Sequence, residues 1–329
     1  MEPFEHADAA SVAAAIDLLG DGARPIAGGT DLLTTMKVGI AAPTRLVNLK
    51  TIRGLDTIAE AGDGMRLGAL VTLDAIAAHP LIRERYRALS DAAGLAASPQ
   101  LRNMGTLGGN LAQETRCWYY RNPDFNCWLK GGETCFAREG ENSHHAIFTD
   151  GSPCVSVYPS DPATALLALG ATVVVQSASG ERRLPIGDYF TLPQDANGRR
   201  LNVLGPADLI VGVELPAPPS AGLYLKAMDR AAWSFALAGV ALALTWRDGS
   251  SGSPHRVETA RIALGGVAPV PRRVPSAESY LSGKPLDAET AAEAGRLAVQ
   301  GAAPLAGNIY KLRLVSGLVE RALLTIGVV

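Results

Sequence analysis

The chain has 329 residues, 47% of them hydrophobic and 19% charged, which is enough apolar content to fold and enough length for two or three domains. A formal net charge of -2 leaves no electrostatic case for nucleic acid or an anionic membrane surface. The start, MEPFEHADAASVAAAIDLL, lacks the basic end and apolar core of a secretory signal, and no apolar run reaches the ~20 residues of a membrane span, so a cytoplasmic location is expected.

Asp8 stands where it could cap a helix whose apolar residues Val12, Ala15, Ile16 and Leu19 repeat at helical spacing, ended by Gly20-Asp21-Gly22. A short extended segment at 24–27 leads into Gly28-Gly29-Thr30-Asp31 and a helix over 32–37. Residues 44–49 alternate as a strand, and 55–61 with 65–70 read as a hairpin around Gly62-Asp63-Gly64. Residues 72–97 are mostly helical and break at His79-Pro80. Further on come a helix over 162–169 and strands over 172–176 and 182–185. The closely set prolines of LPAPPS, residues 215–220, suit neither helix nor sheet and mark a linker. Beyond it, strands are predicted over 223–228, 235–246 and 259–264, and helices over 288–300 and 309–324. Strands and helices mix without a steady βαβ rhythm, which points to an α+β class.

Two glycine loops stand out. In RPIAGGTDLL, glycines and a threonine lie between a strand and a helix start, where successive backbone N–H groups can form a concave anion site for a pyrophosphate. Glycine would serve there because a Cβ would block close approach or demand an unfavourable φ. The loop lacks the third glycine of a dinucleotide-binding fingerprint and the Gly-Lys-Ser/Thr of a P-loop. Alone, such a stretch is most often an ordinary turn. NMGTLGGNLAQ is a second loop of the same kind, with Gly105, Thr106, Gly108, Gly109 and Asn110 as donors, and the pair could clamp one diphosphate from two sides.

All four cysteines, Cys117, Cys127, Cys135 and Cys154, fall in one glycine- and proline-broken segment with the spacing C-x9-C-x7-C-x18-C. In a reducing compartment, cysteines are more often thiols or metal ligands than disulfides. The spacing lacks the short pairs usual in structural zinc sites, but four thiolates suit a [4Fe-4S] cluster. Free thiols or one to two disulfides remain the plain alternative. Trp118, Tyr119, Tyr120, Phe125, Trp128 and Phe136 crowd the segment and could keep water off a cluster or merely pack a loop.

The stretches AGGTDLL, TLGGNLAQ, PSDPATAL, YLKAMDR and IALGGVAPVPRR, in this order, resemble the FAD-binding medium subunit of the molybdenum hydroxylases, the xanthine dehydrogenase family. The cysteine segment is similar to that of the [4Fe-4S]-containing flavin subunits of periplasmic aldehyde oxidoreductase and 4-hydroxybenzoyl-CoA reductase. TRCWYYR and RAAWSFALAGVALAL look more like the aldehyde oxidoreductase type, since the reductase type usually has an aspartate near Ser234.

The resemblance implies an α+β fold. A two-part, vanillyl-alcohol-oxidase-like FAD-binding domain would cover 1–218, with an α/β part at 1–54, an α+β part at 55–218 and an iron–sulfur insertion at 115–156. A C-terminal domain of antiparallel strands and helices, as in CO dehydrogenase flavoproteins, would cover 219–329. It implies that Ala27, Gly28, Gly29, Thr30, Asp31, Leu32 and Leu33 bind the FAD pyrophosphate, and that Thr106, Gly109, Asn110 and Gln113 form a second clamp. Asp161 would approach the adenosine side, Leu215 would pack near the adenine or ribose, and Lys226 would face the flavin. In plainer terms, Asp161 is also a helix N-cap before Pro162, and Lys226 a solvated strand residue. Four thiolates already fill a cluster, so His144 and His145 are expected beside it or at the surface.

The implied activity is electron transfer without a substrate site in this chain. A large molybdenum-cofactor subunit would oxidise an aldehyde or an aromatic or heterocyclic substrate. A small [2Fe-2S] subunit would relay electrons to the flavin in a heterotrimer that can itself be doubled. An external acceptor would take them, and location could become periplasmic by co-export with a signal-bearing partner. The rival readings are a reductase-type flavin subunit, a self-contained flavin oxidase and a zinc-stabilised scaffold.

Overall fold

The computed structural model describes residues 1–247 and 256–327; residues 328–329, the end of the expected C-terminal domain, lie outside the described residues. Strands β1 (Glu5–Asp8), β2 (Ala23–Ile26) and β3 (Arg45–Asn48) form a parallel sheet of order β1-β3-β2. Parallel neighbours need crossovers, and the helices Val12–Leu18 and Leu32–Lys37 supply them. Asp8 does not cap the first helix. It ends β1, where its carboxylate accepts from Asn48 Nδ2 of β3 at 2.8 Å, and Ser11 caps instead, accepting from Ala14 N–H at 3.1 Å.

A second sheet is antiparallel throughout. It contains β4 (Ile58–Ala61), β5 (Gly64–Gly68), β6 (Thr172–Ser177), β7 (Gly180–Pro185) and β8 (Leu209–Leu215), in the order β4-β5-β8-β6-β7. The hairpins β4–β5 and β6–β7 match the expectation from sequence. The central strand β8 is not among the expected strands. Six of its seven residues are buried, so LIVGVEL shows no inside–outside alternation, and a short apolar run alone does not distinguish strand from helix.

The helical stretch broken at His79-Pro80 becomes three helices, Leu73–Ala78, Pro80–Arg85 and Arg87–Leu95. Their apolar faces join Met65, Leu67, Val173 and Val213 in the largest core. The helix Asp161–Leu169 is buried at every position and packs against the third sheet as well, as its apolar sequence requires.

That third sheet holds β9 (Ala221–Ala227), β10 (Ala238–Arg247), β11 (Arg256–Gly265) and β12 (Arg272–Arg273), antiparallel in the order β12-β11-β10-β9. The helices Pro275–Leu281, Ala288–Leu297 and Tyr310–Gly327 close its core. The proline-rich segment between β8 and β9 has no regular structure and is anchored where Tyr86 Oη donates to Pro216 O at 2.6 Å. The cysteine segment carries only the short helix Trp118–Arg121 and two 3-10 turns, Trp128–Lys130 and Phe136–Arg138. Among the described residues, no helix is long and apolar enough to cross a membrane.

Leu67 is fully buried where the second sheet meets its helices. Leu67→Ala is expected to cost about 2–5 kcal/mol, read as a lower urea midpoint with an unchanged slope.

Candidate cofactor site

The first glycine loop joins β2 to the helix Leu32–Lys37. Two glycines have different reasons to be there. A Cβ on Gly28 would sit 1.8 Å from the carbonyl oxygen of Met104, so the second glycine loop already occupies that space. Gly29 has a φ of +69°, which disfavours a side chain, and its missing Cβ faces Leu33 and Ile26 rather than solvent. Among the described residues, the backbone N–H groups of Gly28, Gly29, Thr30, Asp31 and Leu32 have no hydrogen-bond partner. Five consecutive free donors, half-buried at a helix start, form a concave site that an anion can satisfy. Lys50, which no sequence motif marks, brings its ammonium to Ala27 O at 3.1 Å and so sets a cation beside this loop. Leu32 and Leu33 anchor the loop by packing against Ile26, Met36 and Leu46.

Asp31 does not cap its helix by its side chain. Its Oδ2 accepts the Glu114 N–H at 2.8 Å, while Oδ1 pairs with Arg121 at 2.8 Å and Arg116 at 2.9 Å. The loop is thereby tied to the two arginines that flank Cys117.

The second loop supports the first rather than copying it. Leu107 and Gly108 N–H groups bond to Val71 O and Ala69 O, both at 2.8 Å, and Thr106 Oγ1 accepts the Gly109 N–H at 3.2 Å. Asn110 Oδ1 accepts from Ser160 Oγ. Gln113 donates to Asn110 O at 2.8 Å and accepts from Arg116 at 3.0 Å. Most of the expected donors there are engaged within the protein.

Ser160, not Asp161, caps the helix Asp161–Leu169. The Asp161 carboxylate points elsewhere. Its Oδ2 pairs with Lys226 Nζ at 2.8 Å, and its Oδ1 accepts from Tyr224 Oη at 2.6 Å. Lys226 is not a solvated strand residue. Its side chain is 1% exposed, and it also donates to Leu95 O at 3.1 Å. Burial pushes the Asp161 carboxyl above the usual range, against the pull of Lys226. Leu215 joins none of these contacts; it pairs with Met65 and lies in the core of the second sheet.

The structure brings the four cysteines together. Cys117, Cys127, Cys135 and Cys154 line one small cavity with Tyr119, Tyr120, Trp128 and Phe136. None is in a disulfide. Burial, with the other cysteines close by, pushes the Cys117 thiol up to about 11 and the Cys154 thiol up to about 12. Such thiols keep their protons until a cation replaces them. Among the described residues, no three or more His, Cys, Asp or Glu side chains are set at metal-binding geometry as they stand.

The two histidines separate. His144 lies at the surface, 3.1 Å from Asp229. His145 is buried with Nε2 3.2 Å from Cys117 Sγ, and burial pulls its pKa down to about 4. Lys311 lies behind it, fully buried, donating to His144 O, His145 O and Gly266 O. Burial pulls the Lys311 pKa down to about 7, yet three carbonyl acceptors match the three donors of its charged form. No local sequence signal marks Lys311, since lysine on a helix is normally a solvated residue.

The half-buried run of free donors on the parallel sheet's first glycine loop, tied through Asp31 to the segment whose four thiols share one cavity, marks a cofactor-binding protein. Residues 2–218 match the family described as the FAD binding domain in molybdopterin dehydrogenase, and residues 223–326 the CO dehydrogenase flavoprotein C-terminal domain. The chain belongs to the FAD-binding medium subunits of this molybdenum hydroxylase and CO dehydrogenase family. It is 40% identical over 267 residues to the aldehyde oxidoreductase FAD-binding subunit PaoB of Escherichia coli K12, covering 79% of this chain and 80% of that one. To the nicotine 6-hydroxylase medium subunit of Paenarthrobacter nicotinovorans it is 30% identical, covering 98% and 97%. Among solved structures, the carbon monoxide dehydrogenase of Hydrogenophaga pseudoflava superposes with a TM-score of 0.76 at 26% identity, covering 99% and 97% of the two chains.

Gly28→Ala should drive the two loops apart and yield protein with much less FAD. Gly54→Ala, at a positive φ but in open space, should cost about 1 kcal/mol and keep its flavin. Flavin absorbance per purified chain compares them. Lys226→Met should destabilise by about 3–5 kcal/mol, because it leaves the Asp161 carboxyl buried without its cation. Adding Asp161→Asn should recover part of that loss in urea unfolding.

Proposed function

We propose that this chain is the electron-transfer subunit of a heterotrimeric molybdenum hydroxylase that oxidises an aldehyde, and that it carries both FAD and a [4Fe-4S] cluster. The observation that carries the reading is the convergence of four free thiols, from positions spread over 38 residues of loop, on one aromatic-lined cavity. Their number and chemistry fit four-thiolate ligation. The 40% identity to an aldehyde oxidoreductase flavin subunit supports the substrate class. Zinc would suit the donor count but would relay no electrons.

In this reading, the free N–H groups of residues 28–32 hold the FAD pyrophosphate, with Lys50 adding charge. Thr106, Gly109, Asn110 and Gln113 form the wall behind it. Asp161 and Lys226 border the rest of the cofactor, with Lys226 held in place by Asp161, and Leu215, whose side chain lies in the core, would meet it through its backbone at the end of β8. Residues 1–218, including the insertion 115–156, form the FAD-binding domain, and 219–329 the C-terminal domain. Bound FAD would exchange electrons with one- and two-electron partners, and the cluster would relay single electrons. Tyr119, Tyr120, Trp128 and Phe136 line the thiols, of which Cys127 and Cys154 are buried and Cys117 and Cys135 half-buried, and Arg199, whose guanidinium lies 4.5 Å from the Trp128 ring centre, holds Trp128 in place. Substrate oxidation belongs to a large molybdenum-cofactor subunit, and a small [2Fe-2S] subunit connects the two. The location is cytoplasmic, or periplasmic if a signal-bearing partner exports the complex.

Anaerobically purified complex should contain about four iron and four sulfide attributable to this chain. Cys135→Ser should lose most of that iron and keep most of the FAD, because the free-donor loop lies outside the ligand span. Stoichiometric zinc without iron would sink the cluster reading.

A further inference from the structure

The cysteine cavity has a fifth polar neighbour. His145 Nε2 lies 3.2 Å from Cys117 Sγ, well within reach of a hydrogen bond to sulfur. Its other ring nitrogen, Nδ1, is buried and has no partner among the described residues. The ring is boxed in by Trp118, with centroids 5.4 Å apart, and by Tyr119 at 6.2 Å. It has nowhere else to direct a proton.

The backbone beneath the ring is held from far along the chain. His145 N–H donates to Asn142 O at 3.0 Å, and His145 O accepts from Asn308 Nδ2 at 3.1 Å and Lys311 Nζ at 3.0 Å. Asn142 is held in turn by Gly307 N–H at 2.8 Å and donates to Ala137 O and Gly140 O, both at 3.0 Å. Segment 307–311 of the C-terminal part thus fixes where the imidazole points. A loop without a strand ladder would not hold that geometry alone.

We infer that His145 is a positioning residue that donates its Nε2–H to the sulfur of Cys117 and raises the reduction potential of the metal cluster there, with Asn308 and Lys311 holding it in place. The inference rests on the cluster reading above. A ligating cysteine has lost its proton and can only accept, so the proton in this contact must sit on Nε2. A hydrogen bond to a ligand sulfur draws electron density from it and favours the more negative, reduced cluster, which is how such bonds tune iron–sulfur potentials. The Lys311 charge, held at the carbonyl of the same residue, acts in the same direction.

The test uses the intact complex and two variants, His145→Phe, which keeps a ring but removes the donor, and His145→Gln, which returns an N–H. Iron and sulfide are counted first, and the cluster is then titrated under EPR. In His145→Phe the ratio of reduced to oxidised cluster at a fixed potential should fall about tenfold, ~59 mV for a one-electron couple, and His145→Gln should recover much of it. Full iron with an unmoved potential in both variants would overturn the hydrogen bond and leave the cluster standing. Loss of iron from His145→Phe alone would overturn the tuning role by making His145 a ligand. Iron missing from the wild-type complex would sink the cluster reading, and this inference with it.

Discussion

The Asp31 carboxylate is the contact on which the arrangement of the site depends. It sits at the start of a helix whose preceding loop offers free N–H groups, yet it turns away from the helix to meet Glu114 N–H, Arg116 and Arg121. Two guanidiniums and a peptide N–H share one half-buried carboxylate, and such charge-assisted bonds are stronger and more directional than neutral ones. The two arginines flank Cys117. A single side chain therefore sets the spacing between the loop that receives FAD and the first residue of the cysteine cavity. The segment from 114 to 121 has only the one-turn helix Trp118–Arg121 of its own to do this.

The opposite side of the cavity is secured in a similar way. The stretch 137–148 forms no strand or helix beyond one 3-10 turn, so its carbonyls need donors from elsewhere. Asn308 and the buried Lys311 provide them, and Asn142 joins the two segments. The cysteine loop is held between Asp31 of the N-terminal part and residues 307–311 of the C-terminal part. The buried Asp161–Lys226 pair adds a third link, from the helix under the second sheet to β9. A buried ion pair of this kind is weak evidence for stability, but it permits few alternative placements of the two elements.

Local chemistry made several features readable. Glycines flanked by apolar runs, a hairpin turn at Gly62, a helix broken at His79-Pro80 and four cysteines confined to one loop carry their meaning within a few residues. Other features depend on distant partners. Asp8 looks like a helix cap until Asn48 claims it, and Asp161 until Ser160 stands beside it and Lys226 opposite. Strand β8 is buried on both faces, which erases the alternation that would reveal it.

The α+β class, the two glycine loops, the grouping of all four thiols in one segment and the family resemblance, which the matches over residues 2–218 and 223–326 bear out, were legible from residue type and short-range order. It took the tertiary packing to show that the first loop keeps its donors free while the second gives most of its own to acceptors such as Val71 O, Ala69 O and Thr106 Oγ1. That packing alone decided that Lys226 and Lys311 are interior residues, and that His145 rather than His144 meets Cys117. The physical reason is the same in each case. Whether a polar group is free, paired or buried is set by what the chain brings to it from tens or hundreds of residues away, and no local pattern encodes that distance.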